Sequence, residues 1–262
     1  MARIDRFFGD EVVVDDNRQS SATLGIGLNY SQQGGAEFYT RVRVRFVMPR
    51  LQQRLQLILD DNIAVDEQDD EQAVIDAVKE TRPDAGLRFI LADWFRSRVS
   101  TDLGIRTSSP WQLYGRGRWR LTVPVDCWQW RLAETVAWFS EDGWQSSTEM
   151  QWSRPLSAFW LFRSTSRLLW EELSEGVTPS QMLDVTQPLS RRRAYRLYTS
   201  AVWPESPSVT VANYEIGVVY RQRIHSDWLF MEISPGFEFP QRRDYEINPV
   251  LGIKFEVVFS GD

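Results

Sequence analysis

The chain of 262 residues carries a net charge of −6, so it lacks the basic balance expected of a nucleic-acid binder. Its single cysteine, Cys127, leaves no internal disulfide and no thiolate-rich metal site. No run of about 18 apolar residues occurs, which excludes a transmembrane helix, while the mean hydropathy suits either a soluble protein or a barrel with alternating strands.

Two compositional biases narrow the choice. Of the 30 basic residues only Lys79 and Lys254 are lysine. Arginine stays charged and makes planar, multidentate bonds in crowded surroundings, which suits a packed polar interior. The 12 tryptophans are many for this length, and interfacial membrane belts are one physical reason for such an excess.

In chain order, residues 1–20 read as a flexible N-terminal segment. The opening Met1-Ala-Arg-Ile-Asp-Arg-Phe-Phe8 lacks the long apolar centre of a secretory signal, so the expectation is that a signal peptide is absent from this chain. Period-two alternation then predicts strands over residues 24–30, 38–48, 55–59, 87–91, 99–107, 113–123, 128–138 and 144–152. It continues over 159–170, 181–187, 195–203, 211–221, 229–239 and 250–259, for about 14 strands with about 12 as the lower count. The single domain so defined covers residues 21–259, with 260–262 as a tail.

The run Arg41-Val-Arg-Val-Arg-Phe46 shows the pattern most clearly. Successive side chains of a strand point to opposite faces, so Arg41, Arg43 and Arg45 share one face while Val42, Val44 and Phe46 share the other. The same alternation places Arg116, Arg118 and Arg120 opposite Trp119, Leu121 and Val123.

Residues 60–84 break the rhythm with a dense run of acids. They read as one solvated extracellular loop, with a short helix over 72–81. A calcium site is not expected there, because the glycine and ordered ligand ladder of a calcium loop are missing. The tight links near Pro124, Pro155, Pro188 and His225 recur at about one hairpin per step, which gives an up-and-down meander with short turns at one end.

Tryptophans and tyrosines crowd the strand ends. Trp128, Trp138, Trp144, Trp152, Trp160, Trp170 and Trp203 take the positions of a membrane-interface girdle. One residue fits badly: Glu134 shares a face with Trp130, Leu132 and Val136, where charge in lipid is costly. A bulge or a one-residue phase error is the expected remedy.

The last two hairpins, Asp227-Trp-Leu-Phe-Met-Glu-Ile-Ser-Pro235, Arg243-Asp-Tyr-Glu246 and Asn248-Pro-Val-Leu-Gly-Ile-Lys-Phe-Glu-Val-Val-Phe259, resemble an uncharacterised family of proteobacterial outer-membrane β-barrels. The resemblance covers roughly residues 20–259 of the sequence. It implies a closed, antiparallel, all-β barrel in the outer membrane of a Gram-negative bacterium, in contact with lipid and lipopolysaccharide. The final strand is similar to the carboxy-terminal signal read by the barrel-assembly machinery, although Ser260-Gly261-Asp262 follows the terminal aromatic.

The expected interior surface comprises Arg41, Arg43, Arg45, Arg106, Arg116, Arg118, Arg120, Arg131, Arg163, Arg167 and Arg196, with Glu149, Glu215 and Glu232. Rings of fixed charge set ion selectivity, so these residues line either a porin-like channel for small, anionic solutes or a salt-bridged plug. A lipid-acting enzyme is the next alternative and a soluble ligand-binding barrel the last. His225 reads as a turn residue rather than a catalytic base. The protein is expected to be a non-enzymatic monomer that uses no cofactor or metal and binds no nucleic acid.

Overall fold

The computed structural model describes residues 20–47, 55–60, 84–94, 96–107, 111–157, 159–174, 176–204, 210–225 and 228–260. The strands are β1 (Ser21–Ser31), β2 (Gly35–Val47), β3 (Leu55–Asp60), β4 (Asp84–Trp94), β5 (Ser97–Arg106), β6 (Gln112–Val125) and β7 (Trp128–Phe139). They continue as β8 (Gly143–Pro155), β9 (Leu161–Glu171), β10 (Val177–Ser190), β11 (Arg193–Val202), β12 (Asn213–His225), β13 (Leu229–Pro240) and β14 (Asn248–Ser260). A 3-10 turn, Gln241–Arg243, lies between β13 and β14.

Each strand pairs antiparallel with its sequence neighbours, and β1 pairs with β14 to close the ring. Closure runs the full length of β1, from Ser21 opposite Ser260 to Ser31 opposite Val250. An antiparallel ring of 14 strands removes every unpaired edge, which would otherwise template aggregation. An even number also brings the start of β1 and the end of β14 to the same end of the barrel.

The alternation seen in sequence becomes an apolar outside and a charged inside. Ile26 (56% exposed), Leu103 (65%) and Leu113 (60%) project outward, whereas Asp102 (2%), Arg116 (3%) and Arg221 (2%) are buried on the inner face. This inverts a soluble protein, in which large apolar side chains are buried and charges exposed.

Three tyrosines lie across glycines one or two strands away on the inner face. Tyr39 covers Gly27, Tyr114 covers Gly86 and Gly104, and Tyr198 covers Gly217. A β-carbon at Gly27 would come within 2.2 Å of the Tyr39 ring. The glycines are therefore the recesses into which the rings lie down, and they bring large aromatic area into a curved wall without an outward bulge. Tyr114 further packs with Ile58, Ala137 and Phe139 in the larger of two interior apolar clusters.

The strand count agrees with the alternation, but several boundaries differ. β10 spans Val177–Ser190 rather than 181–187, because Thr178, Ser180 and Gln181 put polar groups on both faces and hide the period. Its register shifts between Pro188 and Ser190, where a proline without an N–H is tolerated. Asp60 and Asp84, expected to open and close the acidic loop, end β3 and begin β4 and pair in register. The rest of that loop and its expected short helix lie outside the described residues.

Candidate functional site: the charged inner wall

The inner wall is built by strand pairing rather than by any local motif. On β4, β5 and β6 the register sets Arg88 opposite Asp102, and Asp102 opposite Arg116. The Asp102 carboxylate accepts from Arg88 Nε at 2.8 Å and Nη2 at 3.0 Å, and from Arg116 Nε at 2.9 Å and Nη2 at 2.5 Å. One carboxylate thus joins three strands. Such charge-assisted, multidentate bonds are the stronger kind, and the buried acid is compensated twice.

Around this centre the other expected arginines take their places. Arg118 stands opposite Ser100, and Arg120 opposite Arg98, whose guanidinium pairs with Asp93 at 3.0 Å. Arg106 reaches the rim, where it meets Asp142 at 3.2 Å and lies 3.9 Å over the Phe139 ring. Arg131 donates to Gln151 Oε1 at 3.0 Å, and Arg167 donates to Ser147 Oγ at 2.9 Å. Glu149 is the cross-strand partner of Arg167, and Arg163 of Asp184. Arg196 faces Thr186 across β10 and β11. Arg41, Arg43 and Arg45 share the inner face of β2, with Arg45 6% exposed.

The opposite wall carries a second cluster on β12, β13 and β14. Arg221 donates from Nη1 to Glu232 Oε2 at 3.0 Å and from Nη2 to Glu256 Oε1. Lys254 Nζ lies 3.2 Å from Glu232 Oε1 and 3.8 Å from Glu256 Oε2. Two cations and two carboxylates therefore alternate over three strands. Glu215 accepts from the Tyr198 hydroxyl at 2.5 Å, which ties it to the ring that covers Gly217.

The two walls are chemically unlike. The inner face from β5 to β9 carries Arg98, Arg106, Arg116, Arg118, Arg120, Arg131, Arg163 and Arg167, against the acids Asp102, Glu149 and Glu171. From β12 to β14 the acids Glu215, Glu232, Glu238 and Glu256 stand with Arg221, Arg223 and Lys254. Net positive charge thus collects on one side of the lumen.

Arg98 lies one residue before the strand expected over 99–107, whereas β5 begins at Ser97 and carries Arg98 in phase with Ser100, Asp102 and Arg106 on the inner face. The glutamine and serine partners Gln151 and Ser147 were missed too, for want of any local signal. Among the described residues no group of histidines, cysteines and carboxylates could hold a metal ion. His225 ends β12 and packs edge-on against Trp228, with ring centroids 5.7 Å apart.

The seven tryptophans expected at the interface lie near the ends of strands or just beyond them. Trp128, which opens β7, meets Trp152 at 6.5 Å and Phe162 at 6.2 Å between ring centroids. Trp138 and Trp144 face each other across the far end of the same hairpin, and Trp170 lies near the end of β9. Trp160 stands between β8 and β9, against Tyr195 at 5.8 Å. Trp203 follows β11 and bonds through its backbone to Pro179 O at 3.0 Å.

Neither of the remedies expected for Glu134 is present. β7 pairs with β6 and β8 in unbroken register, and Glu134 stands on the outer face between Trp119 and Thr148. Its carboxylate accepts from Ser146 Oγ at 3.0 Å and Thr148 Oγ1 at 2.6 Å. Two hydroxyls on the neighbouring strand, rather than a bulge, accommodate the charge.

No family model matches the chain, and no curated protein matches it in sequence. Solved structures do resemble it. The fold is similar to the CymD monoaromatic hydrocarbon channel, with a TM-score of 0.56 and 7% identity over 99% of this chain and 92% of that one. It is also similar to a bacterial polysaccharide outer membrane secretin, with a TM-score of 0.55 and 10% identity over 92% of this chain and 99% of that one. OmpT, an outer membrane protein of Vibrio cholerae, gives 0.54 and 8% over 92% and 96% of the two chains. At such low identity the likeness is one of fold: the chain is a closed antiparallel barrel of 14 strands.

Proposed function

We propose that this protein is an outer-membrane barrel of a Gram-negative bacterium that passes small anionic solutes through an arginine-lined lumen. The observation that carries the reading is the excess of arginine over acid on the inner face of β5 to β9, beside an outer wall of exposed leucine, isoleucine and tryptophan. An apolar exterior needs hydrocarbon around it. A lumen wall rich in fixed positive charge raises the local concentration of anions. Strands of ten or more residues apart from β3 match a tilted crossing of the bilayer, and the tryptophans would form its interfacial girdle. Contact with lipid and lipopolysaccharide, and insertion by the barrel-assembly machinery, follow from the same reading.

Reconstitution into planar bilayers tests it. Conducting events with a reversal potential on the anion side are expected in a salt gradient, and Arg116→Glu with Arg118→Glu should lower the anion-to-cation permeability ratio at least several-fold. Folded protein that inserts and never conducts would exclude the channel. A second reading, a sealed structural barrel, is favoured by the burial of Asp102, Arg116 and Arg221 at 2–3% exposure, and it expects that silent outcome.

A further inference from the structure

Glu134 belongs to a larger polar patch on the outer face of β7 to β10. Thr148 stands opposite Glu134, and Ser166 stands opposite both Met150 and Gln181. On the β9–β10 side Ser166 Oγ donates to Gln181 Oε1, while Gln181 Nε2 donates to Ser164 Oγ at 3.1 Å. All these side chains are only partly covered. The patch lies midway along the strands, with Trp128 and Trp152 towards one end and Trp138, Trp144 and Trp170 towards the other.

Polar groups at that depth have no water to bond, and a lipid-facing carboxylate is costly there. The internal bonds satisfy the patch only in part, since a carboxylate offers about four acceptor sites and Glu134 fills one on each oxygen. The two halves differ in chemistry. The β7–β8 half is led by a carboxylate acceptor; on the β9–β10 half Gln181 Nε2 already donates to Ser164 Oγ and Met182 O, both at 3.1 Å, and the Ser164 hydroxyl is the group left to donate.

We infer that this patch is the contact between two copies of the chain, related by a two-fold axis along the membrane normal that passes between β8 and β9. This rests on the membrane reading above and replaces the monomer expected from sequence. Rotation about the normal keeps every residue at its own depth, so a second copy always brings a polar patch to the same level. It also sets β7 of one copy against β10 of the other, as an isologous contact requires. Glu134 of each copy then meets the β9–β10 side of its partner, where the Ser164 hydroxyl can donate and Ser166 and Gln181 can exchange their internal bonds for one to the carboxylate. An arbitrary membrane neighbour shares neither that depth nor that complementarity.

Cross-linking in native membranes tests the contact. In a Cys127→Ser background, Leu168→Cys puts a thiol on the outer face of β9 beside the axis, and Ile26→Cys puts one on the far wall at β1. A bis-maleimide should join Leu168→Cys chains into a product of twice the chain mass and leave Ile26→Cys chains single. Adding Glu134→Leu and Gln181→Leu, which a lipid-facing wall tolerates, should lower the joined fraction about tenfold while heat-modifiable gel migration still reports a folded barrel.

Equal joining at both sites, a joined fraction unchanged by the leucine variants, or a product of another mass would each overturn the proposal. Chain in the membrane fraction that is never joined defeats the pairing alone. Chain that stays in the aqueous phase without detergent defeats the membrane reading and the pairing with it.

Discussion

Arg116 grips Asp102 through two nitrogens, Nε at 2.9 Å and Nη2 at 2.5 Å, and both side chains are buried at 3% and 2% exposure. Arg88 holds the same carboxylate from the other flank. Two buried cations therefore share one anion. Removing the shared member of such a group leaves buried charge less compensated, which costs far more than the intact group contributes.

Asp102→Asn should accordingly destabilise the barrel by about 3–5 kcal/mol. Urea unfolding in lipid vesicles, followed by tryptophan fluorescence, measures it. A midpoint within experimental error of the parent would show that water or another acid supplies the missing charge.

On the opposite wall Arg221 bridges Glu232 and Glu256 at once, a task that suits a planar fork better than a point charge. Arg221→Lys keeps the charge and loses the geometry. It should lower stability by about 1–3 kcal/mol, and Arg221→Met should lower it further. Equal stability of the lysine variant and the parent would reduce the role of Arg221 to simple charge balance.

The glycine recesses should not be equivalent. At Gly104 a β-carbon would lie 2.3 Å from Ala85 O and 2.7 Å from the α-carbon of Gly86, both backbone. At Gly27 the three nearest atoms all belong to the movable Tyr39 ring. Gly104→Ala should therefore cost about 1–3 kcal/mol or more by overpacking, and Gly27→Ala should cost less. Removing Tyr39 as well (Tyr39→Ala) should erase the excess at Gly27, whereas Tyr114→Ala should not rescue Gly104→Ala. The same unfolding assay ranks the four variants.

Cys127 is a natural topology probe, being an exposed free thiol in the turn between β6 and β7. With the β3–β4 connection outside the cell, as the sequence reading expects, this turn lies at the opposite end of the barrel and faces the periplasm. A polymer-linked maleimide too large to cross the outer membrane should leave it unlabelled on intact cells and label it once that membrane is opened. Labelling on intact cells would reverse the orientation.

Much of this was legible in the chain. The alternation of Arg41, Arg43 and Arg45 with Val42, Val44 and Phe46 needs no neighbour to be read, because a strand's period of two is a property of the backbone itself. Repeated along the chain, it yields the strand number, the two faces and the closed class of fold. Pairings are another matter. Asp102 and Arg116 become partners only because β5 and β6 meet in one register, and a slip of one residue would turn every side chain to the other face.

Glu134 marks the boundary between the two kinds of knowledge. Its period places it on the apolar face, and the periodicity was right where a bulge or a phase error had been the expected remedy. The hydroxyls of Ser146 and Thr148 that meet it, and the second polar group at Gln181, lie on strands that reach it only when the barrel is folded. Alternation is written along one strand and can be read there, whereas hydrogen-bonded neighbours are set by the register between strands, which exists only once the ring has closed.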